Sequence, residues 1–287
     1  MNTASVLSRE PHLETTRVRF ANVLAAVDLS ASSANTLKVA AELAFQHGSR
    51  LTVAYVMDSA AQPSFEMPAE IEARIKLWMK PYLGTDPRVS IAVVEGDVVR
   101  EISSLVEKQR ADLLIIGTHA ATNMERLVLG SKAEALFRSI SIPVLTIGPH
   151  TRSYGAGFSS ILLPTDLKPD SFRAAQYAVS LAEESNAALT VLHVVDKDES
   201  GKPQESERLQ MQQLVPEDAD LWCKPVFRTE SGTLPETILS VAEQTHADLI
   251  VLAVTHARIL TDHAYWSVAS KVVCNAECPV LTVRDHL

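Results

Sequence analysis

The sequence predicts an α/β protein built from two tandem, doubly wound domains, each on a five-stranded parallel sheet. One observation is that apolar runs of strand length alternate with amphipathic helical stretches along the chain. Such alternation is typical of a parallel sheet covered by helices on both faces. The other observation is an internal repeat, because segments of the first half recur in the same order in the second. A duplicated α/β domain explains both observations.

The repeat is marked by blocks that keep a nearly constant spacing. Early blocks lie 138 residues apart and later blocks 136, so a net two residues are lost between them. Several blocks in one order make chance similarity a poor explanation. The matching pairs are Val23–Asp28 with Ile161–Asp166, Leu51–Asp58 with Leu189–Asp196, Asp112–Gly117 with Asp248–Ala253, and Pro143–Thr146 with Pro279–Thr282.

Each half is expected to follow one order of strands and helices. The first strand is followed by a helix with apolar residues at helical spacing from Leu37 to Ala44. Ser30, Ser32 or Ser33 is expected to cap the start of this helix, and Gly48 to end it. The later elements are predicted at 66–80 and 203–215 (helices), 89–94 and 226–230 (strands), 112–116 and 248–252 (strands), and 131–140 and 267–276 (helices).

The repeat also predicts the division of the chain into domains. Residues 1–17 form an expected disordered tail, 18–149 the first domain, 150–157 a linker and 158–287 the second domain. The two predicted last strands are nearly the same sequence, and an exposed strand edge needs a cover. We therefore expect the halves to pair as an internal pseudo-dimer, a covalent form of a two-fold interface. The alternative is two independent domains, and a homodimer of whole chains is left open.

Composition limits the classes of function. An apolar fraction of 46% with 21% charged residues is typical of a globular protein with ample core. The net charge of −9 argues against a nucleic-acid partner, which requires a clustered basic surface. No apolar run approaches the length of a membrane span, and the first residues lack the apolar stretch of a signal peptide, so a cytoplasmic protein is expected. The three cysteines are expected to be reduced, buried thiols.

A candidate ligand site follows from where the strands end. Ligands of open parallel sheets lie beyond the carboxyl ends of the strands, where the strand order reverses. Asp28 follows the first strand and Gly117 ends the fourth, so the two meet in one crevice if those strands are neighbours. Gly130 and Ser131 precede the last helix, whose free N–H groups favour an anion, and Lys132 adds a positive charge. Alternatively, Asp28 is a helix cap and the glycines serve only turns.

Several stretches together give the chain a family resemblance. It resembles a tandem universal stress protein, with two UspA-type domains covering nearly everything after residue 17. The ATP-binding branch of that family has the pattern G-2x-G-9x-G-[S/T], and this sequence has Gly117-2x-Ala120-9x-Gly130-Ser131, with one glycine replaced. The stretches that carry the resemblance are Val23-Leu-Ala-Ala-Val-Asp28-Leu-Ser30, Gly117-Thr-His-Ala120, Arg126-Leu-Val-Leu-Gly-Ser131 and Ser141-Ile-Pro-Val-Leu-Thr146.

The resemblance implies an adenine-nucleotide site in the first domain, for ATP with or without Mg²⁺. It makes Asp28 the carboxylate for the adenine edge, with the base and ribose flanked by other strand-end residues. Alanine for glycine at position 120 costs on the order of 1 kcal/mol if φ must be positive there, which weakens a phosphate cradle without abolishing it. By position, the implied ligand residues are Ala26, Val27, Asp28, Val56, Ile116, Gly117, Ala120, Gly130, Ser131 and Lys132.

The second domain departs further from the pattern. Ala253, His256 and Trp266 occupy its three glycine positions, although Asp166 and Ser267 remain. We therefore expect ATP in the first domain only. No catalytic residues and no metal ligands are assigned, because the sequence has neither a nucleophile motif nor a zinc spacing. The chain is expected to be a nucleotide-responsive regulator; the alternatives are an interaction scaffold with both sites degenerate, or a slow ATPase.

Overall fold

The computed structural model describes residues 17–58, 67–84, 86–118, 131–152, 157–169, 171–195, 205–254 and 263–284. Each half of the chain ends in a strand, β5 Val144–Ile147 in the first and β10 Val280–Arg284 in the second. In the first half the elements are β1 Asn22–Ala26, α1 Ala31–His47, β2 Arg50–Met57, α2 Pro68–Leu83, β3 Val89–Glu95, α3 Val98–Gln109, β4 Leu113–Gly117, α4 Ser131–Ser139 and β5 Val144–Ile147. In the second half they are β6 Ser160–Thr165, α5 Ser171–Ser185, β7 Ala188–Val195, α6 Glu205–Gln213, a 3-10 turn Ala219–Leu221, β8 Val226–Ser231, α7 Leu234–Gln244, β9 Leu249–Val254, α8 His263–Asn275 and β10 Val280–Arg284.

The ten strands among the described residues form one sheet, in the order β3-β2-β1-β4-β5-β10-β9-β6-β7-β8. Strands within each half are parallel, and β5 pairs with β10 in the antiparallel direction. The order of the second half is therefore the mirror image of the first, which is the arrangement a two-fold axis between β5 and β10 would produce. This confirms the predicted fold class, and the two halves meet through their last strands.

Helices cover both faces of the sheet, and each face has one core that runs through both halves. The core on one face contains α1, α2, α5 and α6, with the buried side chains of Leu37, Ile75 and Ala174 among its members. The core on the other face contains α3, α4, α7 and α8 and includes Ile102 and Val272. Because neither core is interrupted at the β5–β10 seam, the halves share their hydrophobic stabilisation.

Local signals in the sequence explain the limits of α1. The hydroxyl of Ser30 accepts a hydrogen bond from the backbone N–H of Ser33, so Ser30 is the N-cap among the three candidate serines. Gly48 ends the helix in the left-handed conformation at φ 66°, as predicted. Among the described residues, no helix is both long and apolar enough to cross a membrane.

The segment before β1 contacts the second half of the chain. Residues 1–16 of the expected disordered tail lie outside the described residues, but Arg17 is placed. Its guanidinium lies 3.5 Å from the carboxylate of Glu183 on α5, and the next backbone N–H, that of Val18, donates to Ser180 at 2.8 Å. These two contacts join the residues before β1 to α5.

Candidate functional site

The candidate site is a crevice at the carboxyl ends of β1 and β4. These strands are neighbours, with Ala26 opposite Ile116, and their outward connections run to opposite sides of the sheet. A crevice opens where strand order reverses in this way. Asp28 and Gly117 therefore lie at the same crevice, as expected for neighbouring first and fourth strands.

The predicted base-side residues differ in what they can offer a ligand. Val27 and Ile116 are buried, and their side chains pack into the cores on opposite faces of the sheet. The N–H of Val27 is also bonded to the carbonyl of Ala54 at 2.9 Å. Ala26 and Val56 are only partly buried. Any contact from Val27 or Ile116 therefore comes mainly from backbone atoms, whereas Ala26 and Val56 have surface available.

Asp28 is exposed, and its carboxylate organises the turn that leads into α1. One oxygen, Oδ1, accepts hydrogen bonds from the N–H of Ser30 at 3.0 Å and from the hydroxyl of Ser33 at 2.5 Å. Leu29, between them, has φ 60°, a left-handed conformation that costs energy in a residue other than glycine. The N-cap of α1 is therefore Ser30 and not Asp28, whose carboxylate holds the turn that precedes the cap.

The second half repeats this turn. Asp166 Oδ1 accepts from the Ser171 hydroxyl at 2.8 Å and from the N–H of Lys168 at 3.1 Å, and Leu167 has φ 61°. Burial opposes ionisation of Asp166, but these hydrogen bonds and the Lys168 ammonium lower its pKa overall. The second half keeps this turn although all three of its pattern glycines are replaced. Retention of Asp166 therefore does not by itself indicate a ligand.

Gly117 is a glycine because helix α1 approaches it closely. Its φ is not in the positive range, and a Cβ atom built there would lie 2.5 Å from the Thr36 hydroxyl oxygen. Thr36 is fully buried, and its hydroxyl has no hydrogen-bond partner in the described part of the chain. The sequence attributed this glycine to a ligand; the structure adds a packing reason.

The second half has the complementary pair. The residue equivalent to Thr36 is Ala174 and the residue equivalent to Gly117 is Ala253. Both alanines lie on the same core face as their counterparts, with Ala174 fully buried. A smaller helix residue makes room for a larger strand residue, so the change from Gly117 to Ala253 is explained by packing and is not a sign of a lost site.

The phosphate side of the predicted site is described in part. Ala120 and Gly130 lie outside the described residues, and for Ser131, the first residue of α4, only the backbone is described. Lys132 follows, and its ammonium donates to Asp58 Oδ2 at 2.6 Å. This ion pair connects the N-terminal end of α4 to the carboxyl end of β2, next to β1.

Asp58 is the residue at this crevice that the sequence interpretation did not assign. Its side chain is 19% exposed, so it is more enclosed than Lys132 at 53%. The sequence contains a signal for it, because Asp58 closes one of the repeated blocks and directly follows β2, the strand beside β1. The Asp58 carboxylate competes with an anionic ligand for the ammonium of Lys132, the only lysine of the predicted site.

The last helix of the second half begins earlier than predicted. The sequence placed Trp266 just before a helix at 267–276, whereas α8 spans His263–Asn275. By the 136-residue offset, position 266 within α8 corresponds to Gly130 of the first half. The backbone at 266 is therefore helical, which removes the loop that a phosphate cradle needs there. His256 lies outside the described residues.

No group of three or more histidine, cysteine, aspartate or glutamate side chains that could hold a metal ion occurs among the residues the structure describes. The three cysteines are buried. Burial raises the pKa of the Cys223 and Cys278 thiols to about 12, so both are protonated at neutral pH.

The geometry defines a class of protein: two doubly wound α/β units joined edge to edge through β5 and β10, with a strand-end crevice at β1 and β4. Comparison with known proteins agrees, since the universal stress protein family matches residues 19–148 and 157–284. The chain belongs to the universal stress protein family, as a tandem two-domain member.

Individual relatives resemble one domain or the whole chain. A universal stress protein of Methanocaldococcus jannaschii is 32% identical over 140 residues, which are 44% of this chain and 82% of that protein. A UspA homologue of Coxiella burnetii is 28% identical over 141 residues, covering 45% of this chain and 97% of the relative. Among solved structures, a universal stress protein from Archaeoglobus fulgidus superposes with a TM-score of 0.69 at 18% identity, covering 92% of this chain and 96% of that one. This last likeness concerns the fold.

Proposed function

We propose that the protein is a cytoplasmic stress-response regulator that binds ATP or a related adenine nucleotide in its first domain only. The observation that supports this most is the Lys132–Asp58 ion pair. It brings the start of α4 over the strand ends where Asp28 and Gly117 lie, so groups suited to a base and to phosphates surround one crevice. The positive end of the α4 dipole adds to the attraction for an anion.

The residues present are compatible with a nucleotide. The exposed Asp28 carboxylate has capacity to accept from an amino group, and partly buried Ala26 and Val56 offer apolar surface. Lys132 supplies a cation at the other end of the crevice. We assign no catalytic group to this chain, so the bound nucleotide would act as a regulatory signal and not as a substrate.

The second domain is proposed not to bind ATP. Its α8 continues as a helix through the position that corresponds to Gly130. The N–H groups at that position are then committed to helix geometry and cannot converge on a phosphate. Ala253 does not bear on nucleotide binding, because its packing on the face of Ala174 explains it.

Calorimetric titration of the purified chain with ATP tests the proposal. One mole of ATP per mole of chain is expected, and the Gly130→Trp variant, which copies the second domain, is expected to lose binding. Absence of any bound nucleotide at millimolar ATP, or unchanged binding by Gly130→Trp, would reject this site.

A second titration asks whether Lys132 meets the phosphates. With magnesium chelated, Asp58→Asn is expected to tighten ATP binding, because it removes a carboxylate that competes for the ammonium. Lys132→Met is expected to weaken binding by about tenfold, the effect of losing one charge-assisted hydrogen bond. Lys76→Met is the matched control, since Lys76 is exposed on α2 and pairs with Glu72.

The competing candidate is an interaction scaffold without a nucleotide. Two observations favour it: Ala120 replaces a pattern glycine, and Gly117 has a packing role of its own. The same ATP titration separates the two functions.

A further inference from the structure

A cleft at the amino ends of the strands is separate from the nucleotide crevice at their carboxyl ends. It lies between the C-terminal half of α1, the end of α2 and the first residues of β2 and β3, and its volume is about 340 Å³. This is the size of a small-molecule site, for which roughly 300–1,000 Å³ is typical. The cleft opens at the amino ends of the strands, so it does not belong to the site at their carboxyl ends.

Aromatic and apolar side chains line much of the cleft. Phe45 on α1 is 77% exposed and Tyr82 near the end of α2 is 42% exposed, and both face it together with Leu83. Rings left open to solvent on the walls of a concave site provide surface that an apolar or cationic molecule can cover.

One polar group on the wall is unsatisfied. The Oε2 atom of Glu42 is buried and has no hydrogen-bond partner in the described part of the chain. Burial raises the pKa of Glu42, and the charge of Lys38 opposes this only in part. The other charged pair of the cleft is already satisfied, because Arg88 donates to Asp86 at 2.6 and 3.1 Å. Glu42 thus lacks a donor that a ligand can supply.

We propose that this cleft binds a small molecule with a primary ammonium group on an aromatic or apolar body. Glu42 lines the cleft, and a turn of its side chain brings the carboxylate to the ammonium, which then gives Oε2 the charge-assisted hydrogen bond that it lacks. The body of the ligand lies against Phe45 and Tyr82, whose ring faces also attract the adjacent positive charge. An amine therefore meets both features of the site, whereas an anion would meet a buried carboxylate oxygen.

The second half has no equivalent site. The repeat places Ser180 and Glu183 at the positions of Glu42 and Phe45. Ser180 accepts from the N–H of Val18 and Glu183 pairs with Arg17, so the segment before β1 already covers that surface. One ligand per chain follows.

Calorimetry with three matched probes tests the chemistry. Phenethylamine is the ammonium probe, 3-phenylpropionate its anionic counterpart and 2-phenylethanol its neutral one. We expect phenethylamine to bind once per chain and at least tenfold tighter than the other two. Equal affinities, or a preference for the carboxylate through Lys38, would overturn the proposal.

Two variants locate the site. Glu42→Gln is expected to weaken phenethylamine binding by about tenfold or more, and Phe45→Ala to weaken it as well. Glu107→Gln makes the same chemical change at an exposed position of α3, on the other face of the sheet, and should bind normally. Circular dichroism verifies folding of each variant. Wild-type affinity in Glu42→Gln would refute the assignment, and unchanged ATP binding in that variant separates this cleft from the nucleotide crevice.

Discussion

Leu145 of β5 lies directly opposite Leu281 of β10, and each is the repeat equivalent of the other. The flanking pairs are reciprocal, since Val144 faces Thr282 and Thr146 faces Val280. The pseudo-two-fold axis therefore passes between the two leucines. A self-complementary seam of this kind is the isologous interface of a dimer, retained within one chain.

Truncation of either leucine is predicted to destabilise the whole protein to a similar degree. Both side chains are 1% exposed, so Leu145→Ala and Leu281→Ala should each cost about 2–5 kcal/mol. Urea unfolding followed by circular dichroism measures the free energies. The double variant should deviate from additivity because the residues are in register contact. A variant with wild-type stability would show that the seam does not contribute to folding.

Gly117→Ala is predicted to destabilise the first domain by roughly 1–3 kcal/mol, because its Cβ would lie 2.5 Å from the Thr36 hydroxyl oxygen. Adding Thr36→Ala should restore stability, since the pair then matches Ala174 and Ala253 of the second half. Thermal unfolding of the two single variants and the double variant gives the coupling energy. If the double variant is no more stable than Gly117→Ala, the packing explanation for this glycine is wrong.

Arg284 is predicted to hold the two halves together across the seam. Its guanidinium donates to the carbonyl of Arg138, at the C-terminal end of α4, at 2.9 Å. Burial lowers the pKa of Arg284, and the negative end of the helix dipole favours the charged form. Arg284→Met should cost about 1 kcal/mol in urea unfolding, whereas Arg100→Met, at an exposed position of α3, should cost less. Equal losses would argue against a role at the seam.

Stability is predicted to fall below pH 6.5 because of His47. Its side chain is 4% exposed between Phe20 and Glu184, with its Nδ1 3.1 Å from the Glu184 carboxylate. Burial lowers the pKa of His47, and Glu184 raises it only in part.

The unfolded chain therefore binds this proton at a higher pH than the folded chain, so stabilisation present at pH 7.5 is lost as the pH falls below about 6.5. Urea midpoints between pH 7.5 and 5.5 should show this slope in the wild type and a shallower one in His47→Gln. The same slope in both proteins would exclude His47 as its source.

Much of the fold follows from the sequence, because local chemistry determines it. Apolar runs gave the strands, the 136- and 138-residue offsets gave the duplication, and Ser30 and Gly48 limit α1 as their conformational preferences require. α8 begins before the predicted residue 267 because Trp266, which a helix tolerates better, stands where the first half has Gly130.

The sequence indicated where the site lies in the fold, but not which contacts its residues make. The sequence brings Asp28 and Gly117 into one crevice only if the first and fourth strands are neighbours, and β1 and β4 are neighbours. The contacts of Gly117 with Thr36 and of Lys132 with Asp58 join residues 81 and 74 positions apart in the chain. No local pattern encodes such contacts, since they depend on how helices pack over the sheet.

By itself, then, the sequence determined a duplicated α/β chain of the universal stress protein type, with its better-preserved pattern in the first half. Only the tertiary structure decided that Leu145 meets Leu281, that Gly117 and Ala253 each match a helix residue, and that Glu42 is left without a partner. The physical reason is one and the same. Periodicity and caps act within a few residues, whereas close packing and hydrogen-bond satisfaction are settled between elements distant in the chain.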